Sequence, residues 1–133
     1  MIYPGTAAGY LSLNRAIMDI KSSIQGNVTV LEVSGDFSGR AAGGLKQEIQ
    51  SLKDREISRL VIVMAGLTYI DSSGVSILIA AHNDLQAAGG GLKLVNLSEP
   101  VQTVFESTRL TSFFQIWDSV EQALMVFGEK PSV

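Results

Sequence analysis

The stretch Arg59 to Leu67, "RLVIVMAGL", limits most what this chain can become. It is almost continuously apolar, with none of the polar alternation that a strand with one wet face shows. It is also far shorter than the roughly 20 residues a membrane-spanning helix needs. A strand of this kind has two faces to cover, so it belongs in the middle of a sheet with other layers packed on it. Directly after it comes "YIDSSGVSILI", Tyr69 to Ile79, where an acid, two hydroxyls and a glycine break the apolar run. Leu78, Ala81, Leu85 and Ala88 then recur at helical spacing. The sequence therefore predicts strand, tight junction, helix.

Strands and helices alternate along the rest of the chain, after an opening hairpin, without an internal sequence repeat. Ile17 to Ser23 and Val28 to Ser34 predict two strands, joined by the turn residues Gln25, Gly26 and Asn27 as a hairpin. "SGDFSGR", Ser34 to Arg40, ends the second strand, and Ala41, Leu45, Ile49 and Leu52 mark one face of a helix. After the helix of Leu78 and Leu85, Gly89-Gly90-Gly91 form a flexible stop before a strand from Leu92 to Val95. Pro100 opens a helix with an apolar stripe of Val101, Val104 and Phe105. Phe113 to Trp117 predicts an edge strand, and Ser119 with Gln122 has the spacing of a capping box. It opens a last helix facing inward with Val120, Leu124 and Phe127. The order β-β-α-β-α-β-α-β-α predicts an α/β fold, a small mixed sheet, mainly parallel with an antiparallel edge hairpin, packed against about four helices. Residues 1–16 carry no sustained period and are expected to form an N-terminal arm, with the domain proper spanning 17–130.

Composition removes several kinds of function. The 133 residues carry ten basic and thirteen acidic side chains, a net charge of −3, without a cationic cluster. Nucleic acid and anionic membrane are therefore not expected partners. The absence of cysteine excludes disulfides and thiolate chemistry. Met1 to Gly5 does not resemble a signal peptide, so a cytoplasmic protein is expected.

Catalytic groups are sparse. His82 is the sole histidine. A relay from Ser72 would have to cross about 15 Å along one helix, against the roughly 3 Å that proton transfer needs. His82 follows the core-facing Ala81 and is expected on the surface. "AAGGGLK" runs from helix to strand, the reverse of a phosphate loop, and "GDFSGRAAGG" matches no nucleotide motif. No cofactor and no metal are expected. Asp36 and Asp71 both follow strands at one end of the predicted sheet. A pair of acids there suits acid–base or metal chemistry, while loop and cap acids are the plainer explanation.

That leaves Asp71, Ser72, Ser73 and Gly74. Asp and Ser are favoured helix N-caps, worth about 1 kcal/mol. One cap suffices, however, and this junction supplies three side-chain acceptors followed by a glycine that leaves the backbone open to a visitor. A phosphate on Ser72 would set roughly −1.5 to −2 charges beside Asp71, which an interface covering the site could not accommodate.

In order and context these segments resemble the STAS domain, especially the anti-sigma factor antagonists of bacteria. The likeness runs from about Ile17 to Phe127 through "VTVLEVSGDF", "LVIVMAGLTYIDSSG", "GGGLKLVNLSEPVQTVFESTRL" and "FFQIWDSVEQAL". The resemblance implies a non-enzymatic protein that binds a serine-kinase anti-sigma factor and thereby releases a sigma factor. It implies phosphorylation by that kinase at the serine after the aspartate, here Ser72, and reversal by a phosphatase. ATP would belong to the kinase. The implied contact surface joins Asp36, Phe37 and Ser38 to Asp71, Ser72, Ser73, Gly74 and Val75. Many members carry a Gly-acid-apolar-Asp turn after the second strand, and Ser38 stands here in place of that last acid. A homodimer is compatible with the resemblance. A STAS scaffold in a stress-signalling or transport complex is the alternative, and an enzyme using Asp36 and Asp71 is a third.

Overall fold

A computed structural model of the chain describes residues 18–128. The expected arm and the ends of the expected domain (Ile17 and the last two residues before 131) lie outside the described residues. Nine elements follow in the anticipated order: β1 (Met18–Gln25), β2 (Val28–Phe37), α1 (Gly39–Asp54), β3 (Arg59–Ile70), α2 (Ser72–Ala87), β4 (Gly91–Val95), α3 (Glu99–Ser107), β5 (Gln115–Trp117) and α4 (Val120–Val126). The strands lie in the order β1-β2-β3-β4-β5. β1 and β2 are antiparallel and every later pair is parallel.

The hairpin turns where expected. Gln25 pairs with Val28, and Gly26 takes φ 64°, the positive value a two-residue hairpin loop demands of its first position. Each later strand is joined to its neighbour by a helix, and crossovers of one hand in a sheet of sequential order put those helices on one face. Ala42, Leu45, Ile49 and Leu52 of α1, Leu78, Ala81 and Leu85 of α2, and Val101 and Phe105 of α3 share a core with Leu31, Leu60, Ile62 and Met64. Among the described residues the opposite face is covered by α4, whose Ala123 and Leu124 pack on Val28, Val30, Val61 and Val95.

β3 is thus central and doubly covered, but only along its first half. Ala65 and Gly66, expected to be buried, are exposed, because α4 has seven residues and cannot reach them. β3 also runs on to Ile70 and β2 to Phe37, each three residues beyond the predicted ends. The pairing of these extensions is irregular. Glu32 faces Val63 but Ser34 faces Gly66, and Gly35 faces Leu67 but Asp36 faces Tyr69, so β3 inserts one extra residue at each step. A β-carbon on Gly66 would stand 2.7 Å from that of Ser34, which is why a glycine occupies the first bulge.

Three further expectations change. The strand at Phe113 begins only at Gln115; Phe114 instead turns inward and stacks on Phe105 at 5.3 Å. His82 is not a plain surface residue. It is half-buried, its ring 4.7 Å from Phe113 and 5.9 Å from Phe114, with Nδ1 buried and unpartnered among the described residues. The glycine run after α2 is not a loose stop either. Gly89 takes φ +89° and donates to the Gln86 carbonyl, Gly90 donates to that of Leu85, and a β-carbon on Gly90 would collide with the Ser58 carbonyl at 1.8 Å. That is a Schellman closure packed against backbone.

Candidate functional site

The C-terminal ends of β2 and β3 lie side by side, Phe37 paired with Ile70, so the loops that follow are neighbours. Each loop turns at once into a helix, and Asp71 governs both turns. Its backbone is extended, φ −120° and ψ −172°, as an N-cap requires. Oδ1 accepts from the N–H groups of Ser73 at 2.9 Å and Gly74 at 3.1 Å. Oδ2 accepts from the N–H of Gly39, the first residue of α1, at 3.2 Å. A single carboxylate therefore satisfies donors at two helix N-termini, where the ends of both dipoles favour negative charge.

Ser38, at the N-cap position of α1, makes no capping bond of its own. Its hydroxyl donates instead to Asp36 Oδ1. Asp36, Ser38, Gly39 and Asp71 thus form one braced unit across the two loops. The reach from Asp71 to Gly39 spans 32 positions in the chain, and no local pattern announces it.

Ser72 and Ser73 are exposed, Asp36, Ser38, Asp71 and Val75 are half-buried, and Gly74 and Phe37 are buried. Two expectations need correction here. Gly74 does not hold the backbone open for a partner. A β-carbon on it would stand 2.6 Å from the Phe37 carbonyl oxygen and 3.0 Å from Ile70, so the glycine lets α2 sit tightly on the end of β2. Phe37, at 0% exposure, is a core side chain and cannot offer its ring to a partner. What these residues contribute is the seat beneath Ser72.

The exposed surface also includes a residue the motif alone does not suggest. Tyr69 is 52% exposed beside Asp36, its register partner. The bulge around Thr68 leaves Thr68 and Tyr69 both facing water, whereas strict alternation would bury one of them. Acid–base or metal chemistry finds little support. Asp36 and Asp71 are committed to Ser38 and to backbone donors. Among the described residues no group of three or more His, Cys, Asp or Glu side chains is placed to hold a metal ion. No helix among them is long and apolar enough to cross a membrane.

Comparison with known proteins agrees with this geometry. A family model described as the STAS domain matches residues 19–123. The chain is similar to the anti-sigma-B factor antagonist of Bacillus subtilis, 27% identical over 101 residues that cover 74% of this chain and 92% of that protein. Among solved structures it resembles an anti-sigma factor antagonist from Mycobacterium paratuberculosis, with a TM-score of 0.75 and 22% identity, covering 84% of this chain and 95% of the other. It also resembles the phosphorylated form of the Bacillus cell fate determinant SpoIIAA, with a TM-score of 0.65 and 19% identity over 81% and 97% of the two chains. By its sequence and its fold, the chain belongs to the STAS domain family.

Proposed function

We propose that this chain is an anti-sigma factor antagonist, a non-enzymatic regulator that works in the cytoplasm by partner switching. Unmodified, it docks the surface around Asp36, Ser38, Asp71, Ser72, Ser73 and Val75 onto a serine-kinase anti-sigma factor, which then lets go of its sigma factor. The kinase phosphorylates Ser72 with its own ATP, and a phosphatase restores the free hydroxyl.

One observation carries the proposal. Ser72 is exposed on the first turn of α2, while the N–H groups of Ser73 and Gly74 in that turn are already taken by Asp71. A phosphate on Ser72 would find no backbone N–H of Ser73 or Gly74 to fold onto. It would project outward with roughly −1.5 to −2 charges, adding to those of Asp71 and Asp36. The fold loses little, and a partner lying over the site meets an unpaired charge. The names of the similar proteins, and the fact that one of them is known in a phosphorylated form, support the same assignment.

The test is incubation with candidate kinases and ATP, followed by mass spectrometry and binding measurements. A phosphate on Ser72 and tight binding of the kinase by Ser72→Ala are expected. Ser72→Asp should bind about a hundredfold more weakly, the equivalent of roughly 2.7 kcal/mol. Equal binding by the two variants would reject the mechanism.

A further inference from the structure

We infer that β1 is a dimerisation edge, onto which a second copy of this chain adds its own β1 antiparallel about a two-fold axis. β1 closes one side of the sheet, and no other described strand lies beyond it. Its ladder to β2 is unbroken from Met18–Gly35 to Gln25–Val28, so the strand is straight in register over eight residues. It contains no proline. Alternate residues of such a strand turn their N–H and C=O groups away from the sheet and offer them to a further strand. The opposite edge, β5, has three residues and offers far less.

Ile24 marks the same edge. At 68% it is more exposed than any other large apolar side chain among the described residues. It lies on the helix-bearing face with Ile20, which is partly buried against the main core.

Symmetry and charge then choose the register. A two-fold axis perpendicular to the sheet keeps the two faces matched, so a residue can oppose only residues of its own face. Centring the axis on Lys21 sets the two ammonium groups directly against each other, which is unfavourable. Centring on Ile20 opposes Asp19 and Lys21 but carries Ile24 past the end of the described strand. Centring on Ser22 opposes Ile20 with Ile24 twice, Lys21 with Ser23 and Asp19 with Gln25. No like charges oppose one another, the strand pairs over its length, and Ile24 leaves water. The second copy therefore continues the sheet and the helix-side core. Because the paired strands run in opposite directions, the two Ser72 surfaces point to opposite ends of the joined sheet and stay open. The inference does not depend on partner switching.

The chain has no cysteine, so single introduced thiols report the register in the full-length protein. Directly opposed residues stand about 4.5–5.5 Å apart, within reach of a disulfide. Mild oxidation of Ile20→Cys, Lys21→Cys, Ser22→Cys and Ser23→Cys should give a covalent dimer efficiently with Ser22→Cys alone. Light scattering of the unaltered protein should give twice the chain mass. Ile24→Asp, a change at an exposed position, should weaken self-association at least tenfold with its thermal midpoint essentially kept. A monomer at all concentrations overturns the inference. So does efficient cross-linking at Ile20 or Lys21 in place of Ser22, and so does an assembly indifferent to Ile24→Asp.

Discussion

Asp71 occupies three backbone donors on two helices, and its removal should be felt by both. A lost N-cap costs about 0.5–2 kcal/mol, so Asp71→Ala is expected near the upper end of that range in urea denaturation. Gly74→Ala sets two effects against each other. Alanine favours a helix over glycine by up to about 1 kcal/mol, but the new methyl would meet the Phe37 carbonyl at 2.6 Å, and main chain cannot step aside. Overpacking of this kind costs about 1–3 kcal/mol, so a net loss of roughly 1–2 kcal/mol is expected in the same experiment. At this scale the sequence was legible where the cause was local. The cap at Asp71 and the exposure of Ser72 follow from residue type and spacing. The bridge to Gly39 and the crowding at Gly74 are tertiary contacts, invisible until β2 and β3 lie together.

Among the elements, the helix endings were read least well. α1 and α3 close as α2 does, but with residues that pay for the left-handed turn: Glu56 at φ 62° and Arg109 at φ 62°. The N–H of Ile57 reaches the Leu52 carbonyl and that of Leu110 the Phe105 carbonyl, which completes the Schellman pattern and folds an apolar side chain back onto each helix. Neither Glu nor Arg signals such a turn, so the pattern could not be seen in the sequence. Glu56→Gly should relieve the strain and raise stability by about 0.5–1 kcal/mol, measurable as a higher urea midpoint with an unchanged slope. Strand and helix identities, by contrast, came from periodicity and survived. Only their ends moved, because the pairing of β2 with β3 carries both strands past the point where the apolar pattern fades.

At the scale of the whole molecule, the described residues are distributed unevenly: three helices cover one face and α4 covers part of the other. α4 is held by a cationic clamp, since Lys93 lies 4.4 Å from the centre of the Phe127 ring and bonds to Gln115, while Arg59 donates to the Phe127 carbonyl at 3.3 Å. Lys93 is 5% exposed, and burial holds its ammonium below the ordinary value of 10.5. Between that lowered value and 10.5 the unfolded chain binds more protons than the folded one, so stability should rise with pH across the window. Lys93→Met should lack that rise, as thermal unfolding of the two proteins at matched alkaline pH would reveal.

β3 last meets β4 at Val63, and from Met64 to Ile70 its only strand neighbour among the described residues is β2. A segment laced on one flank opens more readily than one laced on both. Deuterium should therefore enter the amides near Thr68 and Tyr69 well before those of Leu60 to Ile62, leaving the Ser72 platform at the end of a stretch of β3 that opens more readily than its first half. Capture by another molecule would then be recorded as a local slowing of isotope uptake, long before any change of shape could be seen.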